Sequence, residues 1–301
     1  MADKINRTSY YALLDDLNMV KEWLHTIRLN TTNTRFAKIY RLIKLICQHY
    51  QESTLDLLIK TYTEEEMLTV LLDADAFISV HQQFKTLSDN QLPRRRLREA
   101  LNGPLLVEEE GMDGASIHGR DALFEMHLAA RMKARGLNVT GFDDIQFEFL
   151  GVPVNVQCKR IKGENAVKRN YKKACSQLTE RIKENNGRGL IALSVEKLLG
   201  TEEDEWVLPD KRSLVQQAKT TMDNFIRFYE KEWLSTIDIR VLGVIIDFKY
   251  KGVVADHNNL LTRGYETALL PICSARTLQF RDYNYMKSLA AQFTNYTEQL
   301  G

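Results

Sequence analysis

Asp144-Ile145-Gln146-Phe147-Glu148-Phe149-Leu150-Gly151-Val152-Pro153-Val154-Asn155-Val156-Gln157-Cys158-Lys159-Arg160 reads as two strands around a turn. β-branched and aromatic residues alternate with polar ones, and Gly151, Val152 and Pro153 supply the turn chemistry. The expected strands are 144–150 and 154–159. Successive side chains on a strand point to opposite faces. Ile145, Phe147 and Phe149 thus form the apolar set of the first strand, and Val154, Val156 and Cys158 that of the second. Asp144, Gln146 and Glu148 share the other face with Asn155, Gln157 and Lys159. A turn centred on Gly151 and Val152 would set Asp144 opposite Lys159 and Gln146 opposite Gln157, and directly paired residues face the same way. One side of this hairpin is expected to be core, and the other to gather carboxylates, amides and a lysine.

That set suits phosphodiester hydrolysis. Mg²⁺ takes oxygen ligands and keeps several waters. It polarises a phosphate and lowers the pKa of bound water. A nearby lysine offsets negative charge in the transition state. On this reading Asp144 is the principal ligand, Gln157 a neutral oxygen ligand and Lys159 the charged partner. A hairpin with a polar solvent face would show the same alternation without any chemistry.

Upstream, a helix from about Asp121 to Arg135 ends at Gly136, a natural C-cap. Downstream, a lysine-rich helix covers 165–184, with Val167, Tyr171, Ala174, Leu178 and Ile182 as its apolar stripe. Lys168, Arg169, Lys172 and Lys173 lie off that stripe, where they would track a phosphate backbone or simply be solvated. Further elements are expected at 189–195 (buried strand), 212–234 (long helix), 239–249 (strand) and 283–299 (helix).

Asp144, a gap of a dozen residues, then Val156-Gln157-Cys158-Lys159-Arg160 resembles the PD-(D/E)xK nuclease superfamily, and most of all its Mrr-like restriction endonuclease branch, where glutamine commonly replaces the glutamate. Ala122-Leu123-Phe124-Glu125 and Gly136-Leu137-Asn138-Val139 are similar to that superfamily's first core helix and its exit into the sheet. The resemblance implies that Glu125 helps hold the metal, and that Gln177, in Ala174-Cys175-Ser176-Gln177-Leu178, faces the site from the following helix. It also implies a restriction-endonuclease-like mixed central sheet flanked by helices, Mg²⁺ as cofactor with Mn²⁺ able to substitute, DNA as substrate, and a role in restriction or antiphage defence. The resemblance covers about 70 residues well and the N-terminal half not at all. No proline precedes the aspartate, so Asp143 and Asp144 compete as ligand, with strand phase favouring Asp144. Asp247-Phe248-Lys249, with Asp238 nine residues earlier, is a second acidic-x-lysine strand that lacks the hairpin turn.

Residues 8–92 carry helical periodicity: Leu13, Leu17, Val20 and Leu24, then Ile39, Leu42, Ile43, Ile46 and Cys47, with Thr63 as an N-cap before Glu64. Pro93-Arg94-Arg95-Arg96-Leu97-Arg98 and Asn102-Gly103-Pro104 mark a boundary, with the arginines open to phosphate or to an exposed helix start. The expected organisation is an all-α domain over 1–100 and an α/β nuclease domain over 117–301.

The 301 residues carry a net charge of +1, which excludes a basic nucleic-acid coat and leaves local clusters to make any such contact. Cys47, Cys158, Cys175 and Cys273 form no CxxC pair, so reduced thiols are expected rather than a zinc ribbon. Six histidines lack ligand spacing, and Asp256-His257-Asn258 gives no HNH site. No Walker A loop is present, so a motor, if one acts, is a separately encoded helicase or ATPase. Met1-Ala2-Asp3-Lys4-Ile5 shows no signal peptide and no apolar run reaches bilayer length, so a cytoplasmic protein is expected. The rival readings are a non-catalytic interaction protein on a nuclease-like fold, and a nuclease acting on RNA.

Overall fold

The computed structural model describes residues 10–106, 109–110, 118–142, 144–199, 207–233, 240–254, 260–271 and 280–294. Asp143, Asp238, Asp256–Asn258 and Cys273 lie outside them. The chain divides into two compact units. Among the described residues, one holds those from 10 to 131 with 261–263, and the other those from 132 to 260 and from 264 to 294. The division therefore falls inside a helix, at Arg131/Met132, rather than in the turn-rich stretch ahead of residue 117.

The helical unit contains α1 (Tyr10–Thr26), α2 (Arg35–Gln51), α3 (Leu55–Ile59), α4 (Glu64–Phe84), α5 (Arg94–Leu101) and most of α6 (His118–Ala134). The expected stripes are the buried ones: Leu13, Leu17, Val20 and Leu24 on α1, and Ile39, Leu42, Ile43, Ile46 and Cys47 on α2. Thr63 caps α4 in a reciprocal box with Glu66: the Thr63 amide donates to Glu66 Oε2 at 2.7 Å, and the Glu66 amide to Thr63 Oγ1 at 3.1 Å. α4 is buried on every side from Met67 to Ala74, so its Asp73 sits in the core. Two buried arginines answer it, Arg35 at 3.7 Å and Arg120 at 3.6 Å. Arg35 also donates to the carbonyl of Ala100 at 2.8 Å. The Arg94–Arg96 cluster is neutralised locally: Arg94 pairs with Asp89, Arg95 with Glu99, and Arg96 with both Glu99 and Glu125.

The other unit is a mixed sheet with helices. It comprises β1 (Asn138–Gly141), β2 (Ile145–Phe149), β3 (Val152–Arg160), α7 (Glu164–Asn185), β4 (Arg188–Ser194), α8 (Glu196–Leu199), β5 (Val207–Leu208), α9 (Lys211–Trp233), β6 (Val241–Val254), β7 (Leu260–Pro271) and α10 (Phe280–Thr294). The strand order is β1-β2-β3-β4-β6-β5, with β7 also pairing β6. β1, β2 and β3 are antiparallel neighbours, while β3, β4 and β6 run parallel. α7 is the crossover between β3 and β4, as parallel pairing requires. Strands β5 and β7 add to the expected set. Among the described residues no helix is long and apolar enough to cross a membrane. Cys47, Cys158 and Cys175 are not in disulfides among the described residues.

Asp73 makes the helical unit testable. Removing one partner of a buried ion cluster strands the remaining charges, at about 3–5 kcal/mol. Asp73→Ala leaves Arg35 and Arg120 without that carboxylate, and we expect urea unfolding of the full chain to show a loss of that order. Asp73→Asn, which keeps a hydrogen-bond acceptor, should lose less.

Candidate functional site

The hairpin turns earlier than its sequence suggests. Phe149 pairs with Val152, leaving Leu150 and Gly151 as a two-residue loop with φ of 51° and 74°. Positive φ at both positions is the type I′ arrangement, whose twist matches that of the strands it joins. A bulky Leu150 in the left-handed region is the unusual choice, and it stands exposed. The register consequently places Gln146 opposite Asn155 and Ile145 opposite Val156. Asp144 itself precedes β2, in a turn, and the observed register does not pair it with Lys159 as expected. The shift is two residues, so every side chain keeps its face.

The polar face of β3 is not a solvent face. Asn155, Gln157 and Lys159 are in register with Gly189, Ile191 and Leu193 of β4. Ile191 and Leu193 pack with Val167, Tyr171, Ala174, Leu178 and Ile182 of α7, and with Leu214, Ala218, Met222 and Phe225 of α9. The crossover helices thus roof the face that the hairpin alone would leave to water. Asn155 is buried and Gln157 is only 4% exposed. Gln146 and Glu148, at the hairpin end, remain exposed.

The two buried amides differ in how they are satisfied. Asn155 Nδ2 donates to Asn185 Oδ1 at 3.2 Å, and Asn185 Nδ2 returns a bond to Asn155 Oδ1 at 3.1 Å. Gln157 Oε1 is buried with no hydrogen-bond partner, and so is Gln177 Oε1 on α7. Buried acceptors are seldom left so, and each exception calls for an explanation. One helical turn after Gln177, Arg181 forms an ion pair with Asp144 through Nη2 and Oδ2. The other terminal nitrogen of Arg181, Nη1, is buried without a hydrogen-bond partner. Asp144, Gln157, Gln177 and Arg181 therefore belong to one face, the side of the sheet covered by α7. Lys159 follows Gln157 on that face at a half-buried position.

Glu125 belongs to the helical unit, where its carboxylate meets Arg96 at 3.0 Å. Of the four cations expected to meet a nucleic acid, Lys168 is bound to Glu232 at 2.7 Å, while Arg169, Lys172 and Lys173 are exposed. Asp247 is fully buried and accepts a hydrogen bond from Thr267 Oγ1 at 3.1 Å. Its register with Ser194, the neighbour of Arg160, puts it on the face opposite Gln157. Lys249 shares that face and lies 4.0 Å from Glu196. The two acidic or amide-x-lysine strands thus look to opposite sides of one sheet.

Arg181 is the site residue that sequence reasoning passed over. Its signal was the four-residue spacing from Gln177, which places both on one helical flank. Among the described residues, no three His, Cys, Asp or Glu side chains gather into a metal-binding group. Apart from Glu148 at the exposed hairpin end, what the face offers a hard cation is the Asp144 carboxylate and amide oxygens, a donor set that Mg²⁺ accepts when waters complete its shell. No protein-family model matches the chain, and no curated protein matches it.

A buried amide oxygen without a partner costs about 1–3 kcal/mol. Gln157→Leu removes that oxygen at similar volume, so its thermal melt should lie at or above that of the unaltered protein. Asn155→Ala, which orphans Asn185, should melt lower.

Proposed function

We propose that the sheet unit is a Mg²⁺-dependent deoxyribonuclease of the PD-(D/E)xK kind, in the glutamine-bearing Mrr-like manner, with a restriction-endonuclease-like central sheet and a role in restriction or antiphage defence. The observation that carries the reading is Gln157 Oε1, buried on β3 without a partner, on the face to which the Arg181–Asp144 ion pair also belongs. Its support is the succession of α6, β1, the β2–β3 hairpin and α7, which is the order the resemblance requires.

Asp144 and Gln157 are the residues of this face that would hold the cation. Mg²⁺, when bound, supplies Lewis acidity to the phosphate and acidity to a bound water. Lys159 brings a positive charge and a donor to the same face, where developing negative charge on the phosphate is offset. Exposed Arg169, Lys172 and Lys173 give the DNA backbone a cationic run, making binding dependent on salt. A separately encoded helicase or ATPase is the kind of partner that would deliver DNA to a chain with no motor of its own.

A second reading has its own observation. Asp144 is already engaged by Arg181, which is how a nuclease-like fold that had lost cleavage would look. Supercoiled plasmid DNA, with a matched RNA, separates the readings. Asp144→Ala and Lys159→Ala should each reduce Mg²⁺-dependent cleavage by on the order of 100-fold or more while melting like the unaltered protein. Gln157→Glu, which adds charge at the same reach, should retain cleavage, and Gln157→Leu should lose it. Absence of metal-dependent cleavage from the unaltered chain on both nucleic acids would favour the non-catalytic reading.

A further inference from the structure

We propose that Arg181 is a latch on the metal-binding carboxylate: it holds Asp144 in the metal-free protein, yields it to the divalent cation, and then turns its guanidinium to the phosphodiester. The inference rests on the nuclease reading of this face and adds to it a residue and an order of events.

Asp144 is the half-buried carboxylate of this face, and Arg181 Nη2 occupies one of its oxygens. A cation at Asp144 and a guanidinium on the same carboxylate repel one another, so the two compete for a single negative charge. The pair suits exchange. Its side chains are 27% and 31% exposed, so water can solvate both charges as they part. Arg181 also arrives half-used, since Nη1 is buried without a hydrogen-bond partner. A guanidinium presents a planar fork that matches two oxygens of a phosphate. A phosphodiester meets that fork better than the single carboxylate oxygen it now holds.

Gln177 gives the released side chain somewhere to rest. It lies one turn before Arg181 on α7, within reach in the helical four-residue spacing, and its Oε1 is a buried acceptor with no donor. The unpartnered oxygen of Gln157 fits the same sequence of events. While Arg181 holds Asp144, the cation that would use Gln157 Oε1 is kept out, and the oxygen waits for it. Competition of this kind is reciprocal: the factor by which the arginine's hold weakens metal binding is the factor by which bound metal weakens the arginine's hold.

The test is a Mn²⁺ titration of the full chain without nucleic acid, followed by calorimetry or by the paramagnetic signal of the free ion. Arg181→Met should bind Mn²⁺ roughly 5- to 10-fold more tightly than the unaltered protein. Its plasmid cleavage should be slower, with a raised KM for DNA. Arg181→Gln, which keeps a polar side chain at the helix surface, is the second variant should methionine disturb folding, and it should show the same tightening. Asp144→Asn should abolish binding in either background. Unchanged or weaker Mn²⁺ affinity in the arginine variants, with Asp144-dependent binding intact in the unaltered chain, overturns the latch and leaves the nuclease reading standing. Failure of the unaltered chain and of both arginine variants to bind Mn²⁺ at all removes both.

Discussion

The sheet unit depends on strand β3 being flanked on one side by an antiparallel hairpin partner and on the other by a parallel strand. An antiparallel pair at a sheet edge can leave one face to water, and polar residues there are inexpensive. Parallel pairing with β4 brings a crossover helix, and α7 then roofs the face that carries Asn155, Gln157 and Lys159. Polar side chains suited to a wet surface are thereby placed under a helix, each having to find a partner or remain unsatisfied. Asn155 finds Asn185 at the far end of the helix that covers it. Gln157 finds none for its oxygen. A glutamine kept at that position costs stability that leucine would not, and a cost of that kind is usually met at a site of function.

What could be read from the chain, and what could not, divides by the range of the interaction concerned. Local signals held. The stripe of Leu13, Leu17, Val20 and Leu24 is the buried side of α1, and Thr63 and Glu66 form the cap that their spacing announces. The alternation of β2 and β3 is also local, and because the register differs from the expected one by two residues rather than one, each side chain keeps the face that alternation gives it. The register itself escaped, because it turns on Leu150 adopting a left-handed conformation that the residue type disfavours. The burial of Gln157 escaped for a different reason. It is a property of β4, α7 and α9 rather than of the hairpin, and no pattern within 144–160 encodes it. The partner of Asp144 lies on α7, and ion pairs across tertiary distance leave no periodic trace.

The helical unit teaches the same point with charges. Its periodicity declares a bundle, yet Asp73, Arg35 and Arg120 lie inside it, and α4 has no exposed turn where the aspartate could sit. Charged residues at core positions ordinarily argue against a helical stripe being buried. Here the two arginines make the aspartate tolerable, and the aspartate does the same for them. The Arg94–Arg96 run, which composition alone leaves open to phosphate, is committed to Asp89, Glu99 and Glu125. Glu125 is thus drawn in two directions, toward the role that family resemblance gives it and toward Arg96, the partner it has.

Both candidate ligands share that condition, for Asp144 is held by Arg181 as Glu125 is by Arg96. A carboxylate that awaits a divalent cation cannot easily stand bare at a half-buried position, since its own desolvation is unfavourable without a counter-charge. An arginine is a suitable stand-in. Its planar guanidinium answers the carboxylate's charge, and it leaves when a stronger or better-placed charge arrives. The same pairing would be expected of a fold that had abandoned metal altogether. The difference lies in what surrounds the pair. A purely structural ion pair gains nothing from an orphaned acceptor on the same face of β3 and another one turn back on α7. Two buried amide oxygens kept without donors, on the face that also carries the half-used guanidinium, are hard to account for by stability and straightforward to account for by a cation and an anionic substrate that come and go.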